Sequence, residues 1–235
     1  MSETQYERTQ LLLGEEGVAR LRRARVAVFG IGGVGGFAVE ALARAGVGTL
    51  DLVDSDKVVL SNLNRQIIAT HATLGMYKTE AAAQRIRSIC PDTAVNLHNC
   101  FFLPETAGQF DFTQYDYVID AIDTVSGKLG LIEACRAAGT PIVCSMGAGN
   151  KLDPTAFRLA DLYETKVCPL ARVMRYECRR RGILSLPVVY SEEPPVLPRE
   201  KGAPVGSVSF VPSVAGLILA GKVVKDLCAG VSGRT

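Results

Sequence analysis

Short apolar runs alternate with longer segments of helical periodicity through the first two thirds of the chain. The run RVAVF at 25–29 and the run at 48–53 are short, continuous and followed by glycine or aspartate, as is typical of strands buried on both faces. We predict further strands at 94–98, 115–121 and 141–145, and helices at 15–23, 36–45, 75–89 and 124–138. Strands and helices that alternate with short links indicate an α/β fold, Rossmann-like and doubly wound, with a mostly parallel sheet.

The pattern changes after Asn150. We predict a weaker strand at 155–160, a basic helix at 169–181, a strand at 186–190 and a final helix at 213–227. A loop rich in proline and glycine at 194–206 is long enough to be a functional lid, with a disordered segment as the competing interpretation. We interpret residues 1–235 as a single domain, in which residues 22–150 bind a nucleotide and residues 151–230 form a C-terminal extension that completes a substrate site.

Composition narrows the class of protein. The chain is 48% hydrophobic and 21% charged, which favours a folded domain, and its net charge of +2 restricts any nucleic-acid surface to a local patch. The seven cysteines are irregularly spaced without a CxxC pair, which predicts reduced thiols in the cytoplasm and argues against a four-cysteine zinc site. The first residues, MSETQYERTQ, have no apolar core of a signal peptide, and the apolar stretch at 214–220 is too short to span a membrane.

A glycine-rich loop, GIGGVG at 30–35, follows the first predicted strand and opens a helix. The glycines, Gly30, Gly32, Gly33 and Gly35, allow a tight turn and a close approach of phosphate to backbone N–H groups. Asp54 ends the second strand, where a carboxylate can accept hydrogen bonds from ribose hydroxyls. Strand, loop, helix and acid therefore predict a nucleotide site.

Two cations distinguish this site from one for a nicotinamide dinucleotide. We expect Arg65 and Lys78 to converge above the glycine loop, where two positive charges suit a triphosphate whose charge grows as pyrophosphate leaves. Asp123, after the fourth strand, is a candidate magnesium ligand, and capping of the next helix is its competing role. Asp120 still belongs to that strand, so we predict a structural role for it.

These segments together resemble the ubiquitin-activating (ThiF/MoeB/HesA-like) superfamily, whose members adenylate a carboxylate with ATP. The segments that carry the resemblance are GIGGVGG at 30–36, DSD at 54–56, SNLNRQ at 61–66, Lys78, and DAID at 120–123. The resemblance implies that Asp54 binds ribose, that Asn62, Arg65 and Lys78 hold phosphates, and that Asp123 holds Mg²⁺. Arg8, in YERTQLLLG, resembles an N-terminal arginine that the family supplies across a homodimer interface.

The second half is similar to one branch of that superfamily, the tRNA threonylcarbamoyladenosine dehydratases. The matching segments are SMGAGNKLDPT at 145–155, DLYETKVCPLARVMR at 161–175 and GSVSFVPSVAGLILAGKVVKDL at 206–227. The resemblance implies ATP-dependent cyclisation of threonylcarbamoyladenosine in tRNA. That branch demands no thiol at Cys168, so we predict that this cysteine is incidental.

Three other functions remain open from the sequence alone. One is adenylation of the C-terminus of a ubiquitin-like sulfur carrier, although the enzymes of that branch usually carry two CxxC zinc pairs that this chain lacks. The second is an NAD-linked oxidoreductase, against which Arg65 and Lys78 argue. The third is a nucleotide-binding adaptor that docks a sulfur-transfer (cysteine desulfurase-type) partner.

The basic helix is the candidate tRNA surface. Arg172, Arg175 and Arg179 follow one another at spacings of three and four, so they share a helical face that can track an RNA backbone. The competing interpretation is a solvated helix whose basic last turn complements the helix dipole.

Overall fold

The computed structural model describes residues 4–196 and 204–229, in which a single seven-stranded sheet is covered by helices on both faces. In chain order the strands are β1 (Arg25–Phe29), β2 (Thr49–Val53), β3 (Ala94–His98), β4 (Tyr117–Asp120), β5 (Ile142–Ser145), β6 (Phe157–Asp161) and β7 (Pro187–Ser191). Their order across the sheet is β3-β2-β1-β4-β5-β7-β6, and every neighbouring pair is parallel except β6 and β7. The predicted doubly wound α/β fold is confirmed.

The helices are α1 (Glu7–Arg23), α2 (Gly35–Ala45), α3 (Lys78–Ile89), α4 (Val125–Ala138), α5 (Pro169–Arg180) and α6 (Phe210–Leu227). The predicted start of α3 at residue 75 is wrong, because Gly75 has a φ of 83° and Lys57 pairs with the extended Tyr77 in an isolated bridge. Helix α1 begins earlier than predicted and is kinked at Gly14, whose φ is 73°. Both differences follow from glycine, which adopts positive φ without steric cost.

The strand β1 lies at the centre of the molecule and divides its core into two layers. Val26 and Val28 point to the layer under α2 and α6, whereas Ala27 and Phe29 point to the layer under α4 and α5. A strand buried on both faces has no polar alternation, which explains why RVAVF reads as a continuous apolar run. The rigid end of β1 therefore presents the glycine loop from a well-packed base.

A buried carboxylate joins the three strands on one side of the sheet. Asp51, fully buried on β2, accepts hydrogen bonds from Arg25 at 2.8 and 2.9 Å and from Asn96 at 3.2 Å, and lies 3.1 Å from His98 Nε2. Burial raises the pKa of Asp51, but the hydrogen bonds from Arg25, His98 and Asn96 outweigh burial and lower this pKa to about 2. The charge is thus satisfied within strands β1 to β3.

The second half extends the same sheet through β7 and the edge strand β6. The strand predicted at 155–160 lies at Phe157–Asp161 and is antiparallel to β7, which the local pattern did not indicate. Within the predicted loop at 194–206, residues 197–203 lie outside the described residues. None of the described helices is both long and apolar enough to cross a bilayer.

Candidate active site

The carboxyl ends of β1, β2, β4 and β5 open into one cavity of about 550 Å³. Strands β2 and β4 lie on opposite sides of β1, so the strand order reverses direction at β1. The cavity therefore lies at the topological switch point, where open α/β sheets bind ligands. The predicted site residues in its wall are Gly30, Gly32, Gly33, Asp54, Asn62, Arg65, Lys78 and Asp123. The tertiary structure thus brings residues from five separate segments to one place.

The glycine loop has no room for side chains at two positions. Gly30 has a φ of 87°, and a Cβ atom there would lie 2.7 Å from the carbonyl oxygen of Ala121. A Cβ atom at Gly35, which begins α2 just outside the cavity wall, would lie 1.8 Å from the carbonyl oxygen of Gly30. The loop therefore folds tightly against the end of β4, and the N-terminus of α2 adds positive potential beside the cavity.

Asp54 holds the end of β2 against the glycine loop. One carboxylate oxygen accepts a hydrogen bond of 2.7 Å from the Ile31 amide, and the other accepts one of 2.8 Å from the Asp56 amide. Each carboxylate oxygen has a second acceptor position, so ribose hydroxyls can donate to Asp54 without breaking these bonds.

The two predicted cations have different surroundings. Lys78, the first residue of α3, is only 8% exposed, and its Nζ lies 2.7 Å from Asp56 Oδ2 and 3.8 Å from Asp54 Oδ1. Arg65 is half-buried and donates through Nη1 to the Ser61 carbonyl at 3.0 Å and to Asn64 Oδ1 at 2.9 Å. No carboxylate pairs with Arg65 in the part of the chain that the structure describes, so its charge remains uncompensated.

Asn62 is buried in the turn that carries Arg65. Its Oδ1 accepts a hydrogen bond of 3.1 Å from the Val59 amide, which orients the side chain. Its Nδ2 makes no hydrogen bond to any described residue and is free to donate to a ligand in the cavity.

The two aspartates of the DAID segment occupy opposite environments. Asp120 is fully buried, and its Oδ2 lies 2.9 Å from Nζ of the equally buried Lys128, which also donates to the Ser145 carbonyl at 2.6 Å. Asp123 is exposed in the cavity wall and makes no hydrogen bond within residues 4–196 and 204–229. The residue that precedes α4 is Thr124, so capping does not occupy the Asp123 carboxylate.

Several cavity residues were not singled out from the sequence. Gln66 is 5% exposed, and its Oε1 is unpartnered, which distinguishes it from every other buried side-chain polar atom among the described residues. Cys100 and Phe101 follow β3 into the wall, and burial raises the pKa of the Cys100 thiol. The position of Gln66 in SNLNRQ was a usable signal, whereas no pattern marked the other two.

Arg8 lies outside the cavity of its own chain. It is exposed near the start of α1, a helix that also carries the exposed Leu11 and Leu12. Cys168 is buried directly before α5, and all seven cysteines are free thiols. No cluster of three or more metal-binding side chains exists among the described residues.

The three arginines of α5 that were predicted to contact RNA do not form one free row. Arg172 is exposed, but Arg175 turns back and donates to the Thr165 carbonyl at 2.9 Å and to its hydroxyl. The Arg179 guanidinium lies over the Tyr163 ring, 5.2 Å from its centroid. Since Leu170 lines the cavity, α5 begins at the cavity and leads away from it across the surface.

The chain is similar to proteins of known activity along nearly its whole length. Residues 6–232 match the model of the ThiF family. A tRNA threonylcarbamoyladenosine dehydratase of Bacillus subtilis (strain 168) is 43% identical over 239 residues, which cover 95% of this chain and 94% of that protein. The enzyme of the same name from Escherichia coli (strain K12) is 40% identical over 202 residues, covering 83% of this chain and 75% of that one.

The fold similarity is equally extensive. The crystal structure of the E. coli enzyme in complex with ATP superimposes with a TM-score of 0.90 at 35% identity and covers 98% of this chain and 96% of that chain.

Proposed function

The chain belongs to the ThiF family, and from that premise we propose that it is an ATP-dependent tRNA threonylcarbamoyladenosine dehydratase. The observation that carries this proposal is the cavity at the end of β1, where the glycine loop, Arg65, Lys78 and Asp123 meet. The enzyme of this name from E. coli has been crystallised with ATP, and its fold agrees with this chain over 98% of the length.

The cavity supplies a group for each part of ATP. We assign Asp54 to the ribose, and Asn62, Arg65 and Lys78 to the phosphates, beside the backbone N–H groups of the glycine loop. Arg65 has no anionic partner among the described residues, so its positive charge is fully available to pair with a phosphate. Lys78 is paired with the exposed Asp56, and a triphosphate offers it a more concentrated negative charge in the same cavity.

Mg²⁺ fits the open carboxylate in the cavity wall. Magnesium is usually held by one or two carboxylates together with phosphate oxygens of the substrate, and Asp123 supplies one exposed carboxylate with no competing contact among the described residues. Bound there, the ion would neutralise charge on the phosphates. Asp54 is less suited, because both of its oxygens already accept backbone hydrogen bonds.

The reaction needs activation of a carboxylate but no covalent enzyme intermediate. The threonyl carboxylate attacks the α-phosphate of ATP, pyrophosphate leaves, and the carboxylate oxygen becomes part of an AMP leaving group. A nitrogen of the ureido group of the same substrate then attacks the acyl carbon, loses its proton and releases AMP as a five-membered ring closes. Because this attack is intramolecular, the effective concentration of the nucleophile is high.

This chemistry requires no reactive thiol, and burial raises the pKa of Cys100, a cysteine that lines the cavity. Five of the seven cysteines are buried, including Cys168, which is 2% exposed, and the other two are half-buried. Adenylation of a sulfur carrier, the alternative, is disfavoured by the missing CxxC pairs and by the activity named for the similar enzymes. An NAD-linked reaction would leave Arg65 and Lys78 without a function in the cavity.

We further propose a homodimer in the cytoplasm. The exposed Arg8 lies on the same helix as Leu11 and Leu12, which are 85% and 83% exposed, and a second subunit would cover these leucines. In that arrangement Arg8 acts at the ATP site of its partner. We keep residues 1–235 as one domain, with a nucleotide half at 22–150 and a substrate half at 151–230, and a sulfur-transfer partner of the cysteine desulfurase type remains a proposal.

The proposed reaction is tested on tRNA that carries threonylcarbamoyladenosine. Incubation with this protein, ATP and Mg²⁺ is expected to convert that nucleoside to a product lighter by one water, with one AMP and one pyrophosphate per product. Nucleoside mass spectrometry measures the conversion, and a reaction with AMPCPP, which cannot release pyrophosphate in the same way, is the control. ATP-dependent adenylation of a sulfur-carrier C-terminus without loss of water from tRNA would establish the alternative function.

We propose that α5 contacts the tRNA through Arg172, Arg175 and Arg179. Their exposure and their contacts within the protein indicate which of them are free to bind RNA. Arg172 and Arg179 are exposed, whereas Arg175 has its strongest contacts at Thr165. Tyr176 is 61% exposed on the same helix and lies under Arg180, so bases as well as phosphates find partners there.

The double variant Arg172→Ala/Arg179→Ala is expected to weaken tRNA binding and to flatten its salt dependence. Two phosphate contacts contribute a slope of about 1.5 to 2 in log Kd against log salt concentration. Binding is measured by filter retention or fluorescence anisotropy at several salt concentrations. Arg23→Ala/Arg87→Ala removes the same charge from exposed positions on α1 and α3 and is the matched control. Equal slopes for the two double variants would show that α5 is only a solvated basic helix.

A further inference from the structure

A short backbone segment crosses the cavity wall between the two halves of the chain. This segment, residues 205–207, is called the roof segment, and Val205 and Ser207 both line the cavity. Gly206 donates to Asn150 Oδ1 at 2.6 Å, and its carbonyl accepts a hydrogen bond of 2.8 Å from the Asn150 amide. Asn150 has a φ of 56°, and a Cβ atom at the preceding Gly149 would lie 2.2 Å from Val205 Cγ1. The roof segment, itself part of the substrate half, is therefore held closely against Gly149 and Asn150 in the loop after β5.

At Ser207 the roof segment makes a second contact with the nucleotide half, to Asn64 in the turn that carries Arg65. The Asn64 side chain donates through Nδ2 to the Ser207 carbonyl at 2.9 Å. The same side chain accepts, through Oδ1, a hydrogen bond of 2.9 Å from Arg65 Nη1. The amide orientation is chemically determined, because a flipped amide would set a donor against the guanidinium and an acceptor against a carbonyl.

We propose that Asn64 is a positioning residue, which orients the Arg65 guanidinium toward ATP and links it to the roof segment that the substrate contacts. The inference rests on the proposed function for its substrate, and it deepens that function at the same cavity. Arg65 has two acceptors, the Ser61 carbonyl and Asn64 Oδ1, so loss of the second leaves the guanidinium free to rotate. Because Asn64 is exposed, its two hydrogen bonds contribute little to folding, and their consequence is orientation.

The connection from the roof segment through Asn64 to Arg65 can be tested separately from the connection to Asn150. A substrate that enters beside Val205 and Ser207 meets the roof segment, and among the described residues its contacts reach Arg65 through two hydrogen bonds, both made by Asn64. Asn150 holds Gly206, the middle residue of the same segment, and touches neither Arg65 nor the glycine loop among the described contacts. Two single variants therefore separate the two functions of the link.

Asn64→Ala removes both contacts, whereas Asn150→Gly removes only the acceptor for Gly206 and keeps the positive φ that glycine adopts freely. We expect Asn64→Ala to weaken AMPCPP binding roughly three- to tenfold and to raise the KM for threonylcarbamoyladenosine-bearing tRNA by a similar factor, the effect of one lost hydrogen bond at each site. Asn150→Gly is expected to raise the KM for tRNA by a factor similar to that of Asn64→Ala and to leave the Kd for AMPCPP within about twofold of the unmodified protein. Calorimetry measures AMPCPP binding without tRNA, and nucleoside mass spectrometry measures turnover.

Thermal unfolding of each variant shows whether a loss of affinity or turnover comes from loss of folded protein. Unchanged AMPCPP affinity in a folded Asn64→Ala protein would overturn the proposal. Equal weakening of AMPCPP binding by both variants would also overturn it, because the roof segment alone would then set the affinity. If the unmodified protein forms no cyclic product, the proposed function fails, and the AMPCPP comparison still decides whether Asn64 positions Arg65.

Discussion

Replacing Asp123 by asparagine is expected to lower product formation about a hundredfold or more while the protein remains folded. The carboxylate is exposed in the cavity wall and makes no hydrogen bond to another described residue, so its removal leaves no buried group without a partner. The amide keeps the shape of the side chain but lacks the negative charge that holds Mg²⁺ beside the phosphates. Turnover at saturating ATP, measured over a range of Mg²⁺ concentrations, tests this, and the variant is expected to need more Mg²⁺.

The control for this variant is Asp92→Asn, which removes one carboxylate that is 82% exposed and far from the cavity wall. It is expected to match the unmodified protein in turnover and in Mg²⁺ dependence. If Asp123→Asn retained turnover within a few fold at every Mg²⁺ concentration, the carboxylate would not be a metal ligand. The neighbouring Asp54 would then be the next candidate, although its oxygens already accept backbone hydrogen bonds.

Replacing Lys128 by methionine is expected to lower the free energy of unfolding by about 3–5 kcal/mol. Lys128 and Asp120 are both fully buried, and the ammonium group also satisfies the Ser145 carbonyl at the end of β5. Methionine fills much the same volume but leaves the Asp120 carboxylate buried without its partner. Urea unfolding followed by circular dichroism measures the change.

A second variant separates the cost of an orphaned charge from the worth of the ion pair. In Asp120→Leu/Lys128→Met both charges are absent, and most of the lost stability is expected to return, because apolar side chains replace a buried pair at little net cost. A Lys128→Met protein as stable as the unmodified one would show that Asp120 is protonated or hydrated in its absence. The pair joins the ends of β4 and β5, so its loss is also expected to shift the cavity wall at Ser145.

Strand position gives two nearby aspartates different environments. Asp120 is the last residue of β4 and points into the core, where a lysine on α4 meets it. Asp123 lies beyond the strand, at the sheet edge where ligands bind in open α/β folds. The segment DAID predicted a structural role for Asp120 and a metal role for Asp123, although it gave no sign of Lys128, one of two cations in α4.

Local patterns were sufficient wherever the decisive interaction lies within one segment. The buried run at 25–29, the glycines that follow it and the acid after the second strand are each recognised by residue type and spacing, and the structure has them in the predicted order. The start of α3 was predicted too early because Gly75 takes a positive φ and Tyr77 is extended in its bridge to Lys57, a pairing that helix propensity alone does not reveal.

The sequence by itself determined the order of strands and helices, the glycine-rich loop and the types of residue that line the cavity, because periodicity, glycine and charge act over a few neighbouring residues. Only the tertiary structure decided which of these side chains are free to act. Arg175 turns to Thr165, Asn64 joins Arg65 to Ser207, and β6 pairs antiparallel with β7. Each of these depends on contacts between residues distant in the chain or on the direction a side chain takes, and neither is written in local spacing.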